Sequence, residues 1–234
     1  MGYADGKAVA LLWGGRGAPR RGPKPTLTLA DISAAGIAVA DAEGVAAVTM
    51  QRVAESLGVT KMALYRYVPG KSELVALMTD AAIGEPPELT GDGWRPRLAE
   101  WARRMFAEFW RHPWALETTI GPRVMGPNEL SWLDAAIAAL DGTGLDGADA
   151  MDAAVTIVGH IRMVAQQGVA SPADNAEQAM DAAMVELLRG HEADFPALTA
   201  ALESASRSGK QGRAFEFGLD RILDGIAHLV GTRG

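Results

Sequence analysis

The residues predict an all-α protein. Alanine fills 43 of the 234 positions and tyrosine three, and stretches alternating Val or Thr with polar residues are nearly absent, so strand signals are weak throughout. Apolar residues instead recur at three-to-four spacing, the period of a helix with one buried face. Thr28, Thr49 and Thr60 stand just before such segments, and Gly44, Gly58 and Gly84 close helical stretches, as N-caps and C′ residues do.

Residues 1–25 are rich in Gly, Pro and Arg and show no periodicity, which predicts a flexible basic arm. Thr28 caps a first helix carrying Leu29, Ile32, Ala35, Gly36 and Val39 and ending at Gly44. Thr49 caps a second, with Met50, Val53, Ala54 and Leu57 inward and Gly58 as its stop. A third runs from Thr60 toward Pro69, and a fourth opens at Lys71 and Ser72 and continues to Gly84. Two prolines and two glycines within 85–93 mark a linker. It separates a domain over 26–84 from a larger one over 94–234.

In the larger domain, Leu98, Trp101, Met105 and Phe109 share one face of a helix from Trp94 to Arg111, which His112-Pro113 ends. Further helices are predicted over 114–121, 127–141, 148–168, 173–190 and 195–205. The last spans 215–230, with Phe215, Leu219, Ile222, Leu223, Ile226, Leu229 and Val230 on one broad apolar face.

Composition excludes several function classes. There are no cysteines, so disulfides, thiolate metal sites and cysteine nucleophiles are ruled out. The four histidines (112, 160, 191, 228) are scattered, and Gly14-Gly15-Arg16-Gly17 is too short for a phosphate loop. No metal, cofactor or enzymatic activity is expected. Ala8 to Trp13 is too short for a signal peptide, and nothing approaches the roughly 18 to 20 apolar residues of a membrane span. A soluble, cytoplasmic protein is the expectation.

The net charge of −7 conceals an asymmetry. Residues 1–79 hold nine Lys or Arg against six Asp or Glu, a balance of +3, while the remainder holds 13 against 23, a balance of −10. A basic end suits phosphates, and an acidic remainder is repelled by them. The residues from Thr49 to Val68 also meet the demands of a helix-turn-helix. Ala54 is small where the helices cross, Gly58 suits a turn with positive φ, and Val59 and Leu64 fill the space between the helices.

Thr60, Lys61, Met62, Ala63, Tyr65, Arg66 and Tyr67 remain to face outward on the second helix of the motif, a set suited to a major groove. Thr49 and Lys71, at the N-termini of the flanking helices, are placed to hold phosphates, and Arg52 adds a cation. Arg16, Arg20, Arg21 and Lys24 read either as a minor-groove arm or as a solubilising tail.

The pattern T-M-x-x-V-A-x-x-L-G-V-T-x-x-x-L-Y-R-Y-V-x-G-K-x-x-L from Thr49 to Leu74 resembles the signature of the tetracycline-repressor (TetR) family. The resemblance covers residues 28–84. It implies that Thr49, the positions from Thr60 to Ala63, Tyr65, Tyr67 and Lys71 contact DNA. Beyond the linker, the W-x-x-x-L-x-x-W-A pattern from Trp94 and the F-x-x-G-L-D-x-I-L-D-G-I pattern from Phe215 resemble the subgroup with a tetracycline-repressor-like C-terminal domain. No drug-binding or magnesium-binding constellation carries over.

The function expected is that of a DNA-binding transcriptional regulator: a repressor that leaves its palindromic operator when a small-molecule effector binds. An activator or architectural DNA binder without an effector is the alternative. Homodimerisation through helices at about 148–167 and 215–230 is expected, because two related motifs read two half-sites. The candidate effector contacts are Trp101, Met105, Phe109, Trp132, His160, Met163 and Gln167, since large adaptable side chains suit an apolar cavity.

Overall fold

The computed structural model describes residues 6–14, 27–169, 176–208 and 213–233. Among the described residues there are twelve α-helices and no strand, as the composition predicts. They are α1 (Gly6–Trp13), α2 (Leu29–Glu43), α3 (Met50–Ser56), α4 (Lys61–Tyr65), α5 (Lys71–Ile83), α6 (Trp94–Arg111), α7 (Ala115–Thr118), α8 (Pro127–Ala139), α9 (Gly147–Val169), α10 (Ala176–Leu188), α11 (Pro196–Ser208) and α12 (Ala214–Arg233). Among the described residues no helix is long and apolar enough to cross a membrane.

Local chemistry sets most boundaries. Thr28 and Asp31 form a capping box: the Asp31 amide donates to the Thr28 hydroxyl at 3.1 Å, and the Thr28 amide donates to the Asp31 carboxylate at 2.8 Å. The Thr28 hydroxyl also donates to the Asp31 carboxylate, at 2.6 Å, and this bond together with that from the Thr28 amide holds the Asp31 pKa below the ordinary aspartate range; such caps contribute about 1 kcal/mol. The helix expected over 114–121 is only Ala115–Thr118. Gly121 takes a positive φ of 74° and Pro122 follows it, so the helical ladder cannot continue there.

The chain packs as two compact units. The first holds the described residues within Met1–Thr90 and Ala107–Ala139; the second holds those within Gly91–Phe106 and Leu140–Gly234. Packing thus divides the chain between Thr90 and Gly91, inside the 85–93 stretch where its composition changes, and again inside α6 and after α8.

In the first unit α2 and α5 lie together, α3 packs on α2, and α4 packs on α3. Ile32, Val48, Val53, Leu64, Leu74 and Met78 are fully buried, and each such side chain stabilises by about 1.5 to 3 kcal/mol. The expectation of a flexible arm over 1–25 is corrected for residues 6–13, which form α1 against α5. The eight residues from Gly6 to Trp13 make about two helical turns, bury Ala8 and Leu12, and let the Trp13 indole donate to the Met125 carbonyl at 3.2 Å. Arg16, Arg20, Arg21 and Lys24 lie outside the described residues.

In the second unit Leu98 and Trp101 of α6, Ile157 and Ile161 of α9, and Leu219 and Leu223 of α12 are fully buried or nearly so. Phe106 stacks on Phe215 at 4.2 Å between centroids. Arg103 grips Glu216 through two hydrogen bonds of 2.8 Å, and Arg95 reaches Asp224 at 2.7 Å. α10 packs on both α9 and α11.

Candidate nucleic-acid interface

The interface is built on α3, α4 and the turn between them. The Thr49 hydroxyl accepts from the Arg52 amide and the Thr60 hydroxyl from the Ala63 amide, both at 3.1 Å, so each helix starts on a side-chain cap. Gly58 has φ +65°, the left-handed conformation that lets the chain reverse between the helices. The Val59 amide then donates back to the Ala54 carbonyl at 3.0 Å. Ala54, Leu64 and Val68 are fully buried, as a steep helix crossing requires.

That packing turns the opposite side of α4 to solvent. Met62 is 73% exposed and Tyr65 40%, and Thr60, Lys61 and Arg66 are exposed beside them. Ala63 and Tyr67 are half-buried. Lys61 holds its ammonium 5.8 Å from the Tyr65 ring centroid, a cation–π contact that orients both side chains. The surface therefore offers a donor, an aromatic edge and a small apolar step along one short helix.

The flanking residues differ in availability. Thr49 and Lys71 are exposed, and the Lys71 ammonium leans on the Ala46 carbonyl at 3.5 Å. Glu73 folds back toward Gly70, over the first turn of α5, and is buried. A carboxylate at that helix N-terminus competes with an incoming phosphate, which leaves Lys71 as the cation there. Arg52 is clasped by Glu43 through both terminal nitrogens, one of the two bonds measuring 2.7 Å. Nothing in the spacing of Glu43 and Arg52 along the chain announces this pair, because the turn between α2 and α3 creates it.

The motif is anchored to neighbouring helices of its unit by polar joints. Asp41 of α2 accepts from the Trp114 indole at 2.7 Å and pairs with His112 Nδ1 at 2.8 Å. On α5, the Thr79 and Thr118 hydroxyls meet at 2.8 Å, and the Gly84 carbonyl accepts from the Trp132 indole at 3.0 Å. Asp80, buried, accepts from the Asn128 and Glu129 amides at the start of α8. No spacing along the chain marks Asp80, because its partners lie 48 and 49 residues away.

The seven candidate effector contacts do not gather in one unit. Phe109 and Trp132 belong to the first; Trp101, Met105, His160, Met163 and Gln167 belong to the second. Trp101, Phe109 and Trp132 are buried, Met105 and His160 half-buried, and Met163 and Gln167 exposed. His160 Nε2 donates to the Phe215 carbonyl at 2.9 Å with the two rings stacked, so it fastens α9 to α12. Among the described residues no three His, Cys, Asp or Glu side chains gather as metal ligands do.

Comparison with known proteins gives two family matches. Residues 32–78 match the model for bacterial regulatory proteins of the tetR family. Residues 86–230 match the tetracyclin repressor-like C-terminal domain. The chain is 36% identical over 240 residues to the HTH-type transcriptional repressor DrrR1 of Streptomyces coeruleorubidus, covering 97% of this chain and 87% of that protein. Among solved structures, apo ActR from Streptomyces coelicolor superposes with a TM-score of 0.74 at 22% identity, over 91% of this chain and 100% of ActR. ActR in complex with actinorhodin gives 0.72 at 26% identity, over 89% and 98%.

Proposed function

We propose, from the premise that this chain belongs to the TetR family of bacterial regulatory proteins, that it is a transcriptional repressor whose dimer reads a palindromic operator and releases it when a small organic effector binds. The observation that carries the DNA reading is the outward face of α4, where Thr60, Lys61, Met62, Tyr65 and Arg66 are exposed while Leu64 anchors the helix from behind. Its N-terminal residues enter the major groove and meet base edges, with Ala63 and Tyr67 flanking them. Thr49, Lys71 and, once freed from Glu43, Arg52 hold phosphates on either side. Residues 26–84 act as the reader and 94–234 as the effector-binding and dimerising part.

The dimer forms through α9 and α12. Met151, Val155 and Met163 on α9, and Phe217 and Leu229 on α12, are between 39% and 64% exposed, and these two helices pack on each other. An apolar surface across two paired helices favours a matching surface on a second copy. Met163 and Gln167 belong to this face, which leaves Trp101, Met105 and His160 as the effector candidates of the second unit. Ligand control is supported by the ActR complex, in which the bound molecule is actinorhodin. The protein acts in the cytoplasm, where its DNA is.

The test is a titration of the protein against a duplex enriched by it from a random-sequence library, with Lys61→Ala and Tyr65→Ala beside the unchanged protein. Each substitution is expected to weaken binding about tenfold, as loss of a base or phosphate contact does. Unchanged affinity in both overturns the assignment of α4 as the reading helix.

A further inference from the structure

A cavity of about 300 Å³ lies against α5 in the first unit. Its long wall is a single helical face, Ser72, Val75, Ala76 and Thr79, at the spacing that lines residues up along one side of a helix. Val124 and Pro122 close the far side, and Ala8 of α1 reaches it from the N-terminal helix. The Trp13–Met125 hydrogen bond ties the end of α1 to the loop that carries Val124. Apolar walls with a few converging polar groups, at the small end of the range for ligand sites, describe a binding cavity.

The polar groups indicate what fits. Arg123 is the only charged side chain among the described residues lining the cavity. Its partner Glu129 is not among the lining residues and takes two of the five guanidinium N–H groups, one of those bonds measuring 2.6 Å. The remaining donors meet an acceptor without breaking the ion pair. The Ser72, Thr79 and Thr118 hydroxyls are the other polar side-chain groups of the lining, the last two 2.8 Å apart.

We propose that this cavity is a second ligand site, distinct from the effector contacts on α6 and α9, for a compact apolar molecule bearing an anionic group. The apolar body lies on the Val75–Ala76 face and the anion meets Arg123. An occupant braces α1, α5 and the 118–125 segment against one another. Because α5 begins at Lys71, directly after the reading motif, occupancy changes how that motif is held; this consequence rests on the regulator reading above.

The probe is 8-anilinonaphthalene-1-sulfonate, whose fluorescence rises in apolar sites. The full chain is expected to bind it saturably, with slowed amide exchange over residues 72–79 and 118–124. Ala76→Phe, which fills the cavity, and Arg123→Gln are each expected to weaken binding at least tenfold while melting cooperatively. Absence of saturable binding, protection confined to other segments, or unchanged affinity in both folded variants overturns the site. The exchange readout needs no variant, so misfolding of either substitution leaves the test intact. Saturating probe is expected to weaken binding of the selected duplex about tenfold in the unchanged protein and not in Arg123→Gln. No effect on DNA with the cavity occupied overturns the regulatory consequence, whereas failure to select any duplex without probe overturns the regulator reading alone.

Discussion

The carboxylate of Asp80 accepts the backbone amide of Asn128 at 2.9 Å, and Asn128 returns the bond by donating its side-chain amide to the Asp80 carbonyl at 3.0 Å. The same carboxylate oxygen takes the Glu129 amide at 3.1 Å. A residue near the end of α5 therefore caps the start of α8, satisfying amides that no carbonyl within that helix reaches. Gly126 makes room for it, since a Cβ there would collide with the Asp80 carboxylate.

Asp80→Ala leaves two helix-terminal amides without their acceptor in a part-buried setting, at an expected cost of about 2 to 3 kcal/mol. Asp80→Asn keeps an acceptor oxygen and is expected to cost about half as much. Urea unfolding of the two variants measures the difference; equal losses would show that the negative charge, which both variants lack, and not an acceptor oxygen, is what Asp80 supplies.

The Glu43–Arg52 pair holds a cation that the reading motif can turn toward phosphate. Glu43→Gln frees Arg52, so DNA affinity is expected to rise a few-fold and the slope of log K against log salt to steepen by about one unit. Anisotropy titrations at several salt concentrations test this. An unchanged slope means that Arg52 stays off the DNA.

Introducing charge at the exposed apolar faces of α9 and α12 separates the proposed dimer. The double substitution Met163→Glu and Phe217→Glu places four like charges in a two-fold interface, which like-charge desolvation opposes. Sedimentation at micromolar concentration is expected to show a dimer for the unchanged protein and a monomer for the variant, with helicity retained. A variant that remains dimeric moves the interface elsewhere.

Glu216 is held below its ordinary pKa by the hydrogen bond from Arg103. In acid the unfolded chain therefore takes up this proton before the folded one does, and the stabilisation, complete above the unfolded pKa, is lost as pH falls through the folded value. Both partners are about half exposed, so Glu216→Gln is expected to cost roughly 0.5 kcal/mol at neutral pH. Melting curves of the two proteins should converge as the pH falls below the ordinary glutamate range. A gap that persists in acid would assign the loss to packing.

What the amino-acid order determined was local. Thr28, Thr49 and Thr60 sit at N-caps, Gly44 and Gly84 at C-caps, and Gly58 at the turn of the motif, as their side chains and φ angles demand. These depend on residues within four positions of each other, so spacing alone exposes them. The face of α4 was equally legible, because burying Leu64 leaves its neighbours outward.

Tertiary structure decided the rest. Only packing brings Asp41 to His112 and Trp114, or Asp80 to Asn128, across separations of 48 to 73 residues. It also made a helix of residues 6–13, whose short apolar run gains enough burial only when α5 offers a surface. And it drew Arg52 to Glu43, so that a cation counted freely in the sequence is committed to a partner in the fold. Hydrophobic period fixes which face turns inward, but which polar groups then meet depends on helix-to-helix geometry that no short stretch of sequence encodes.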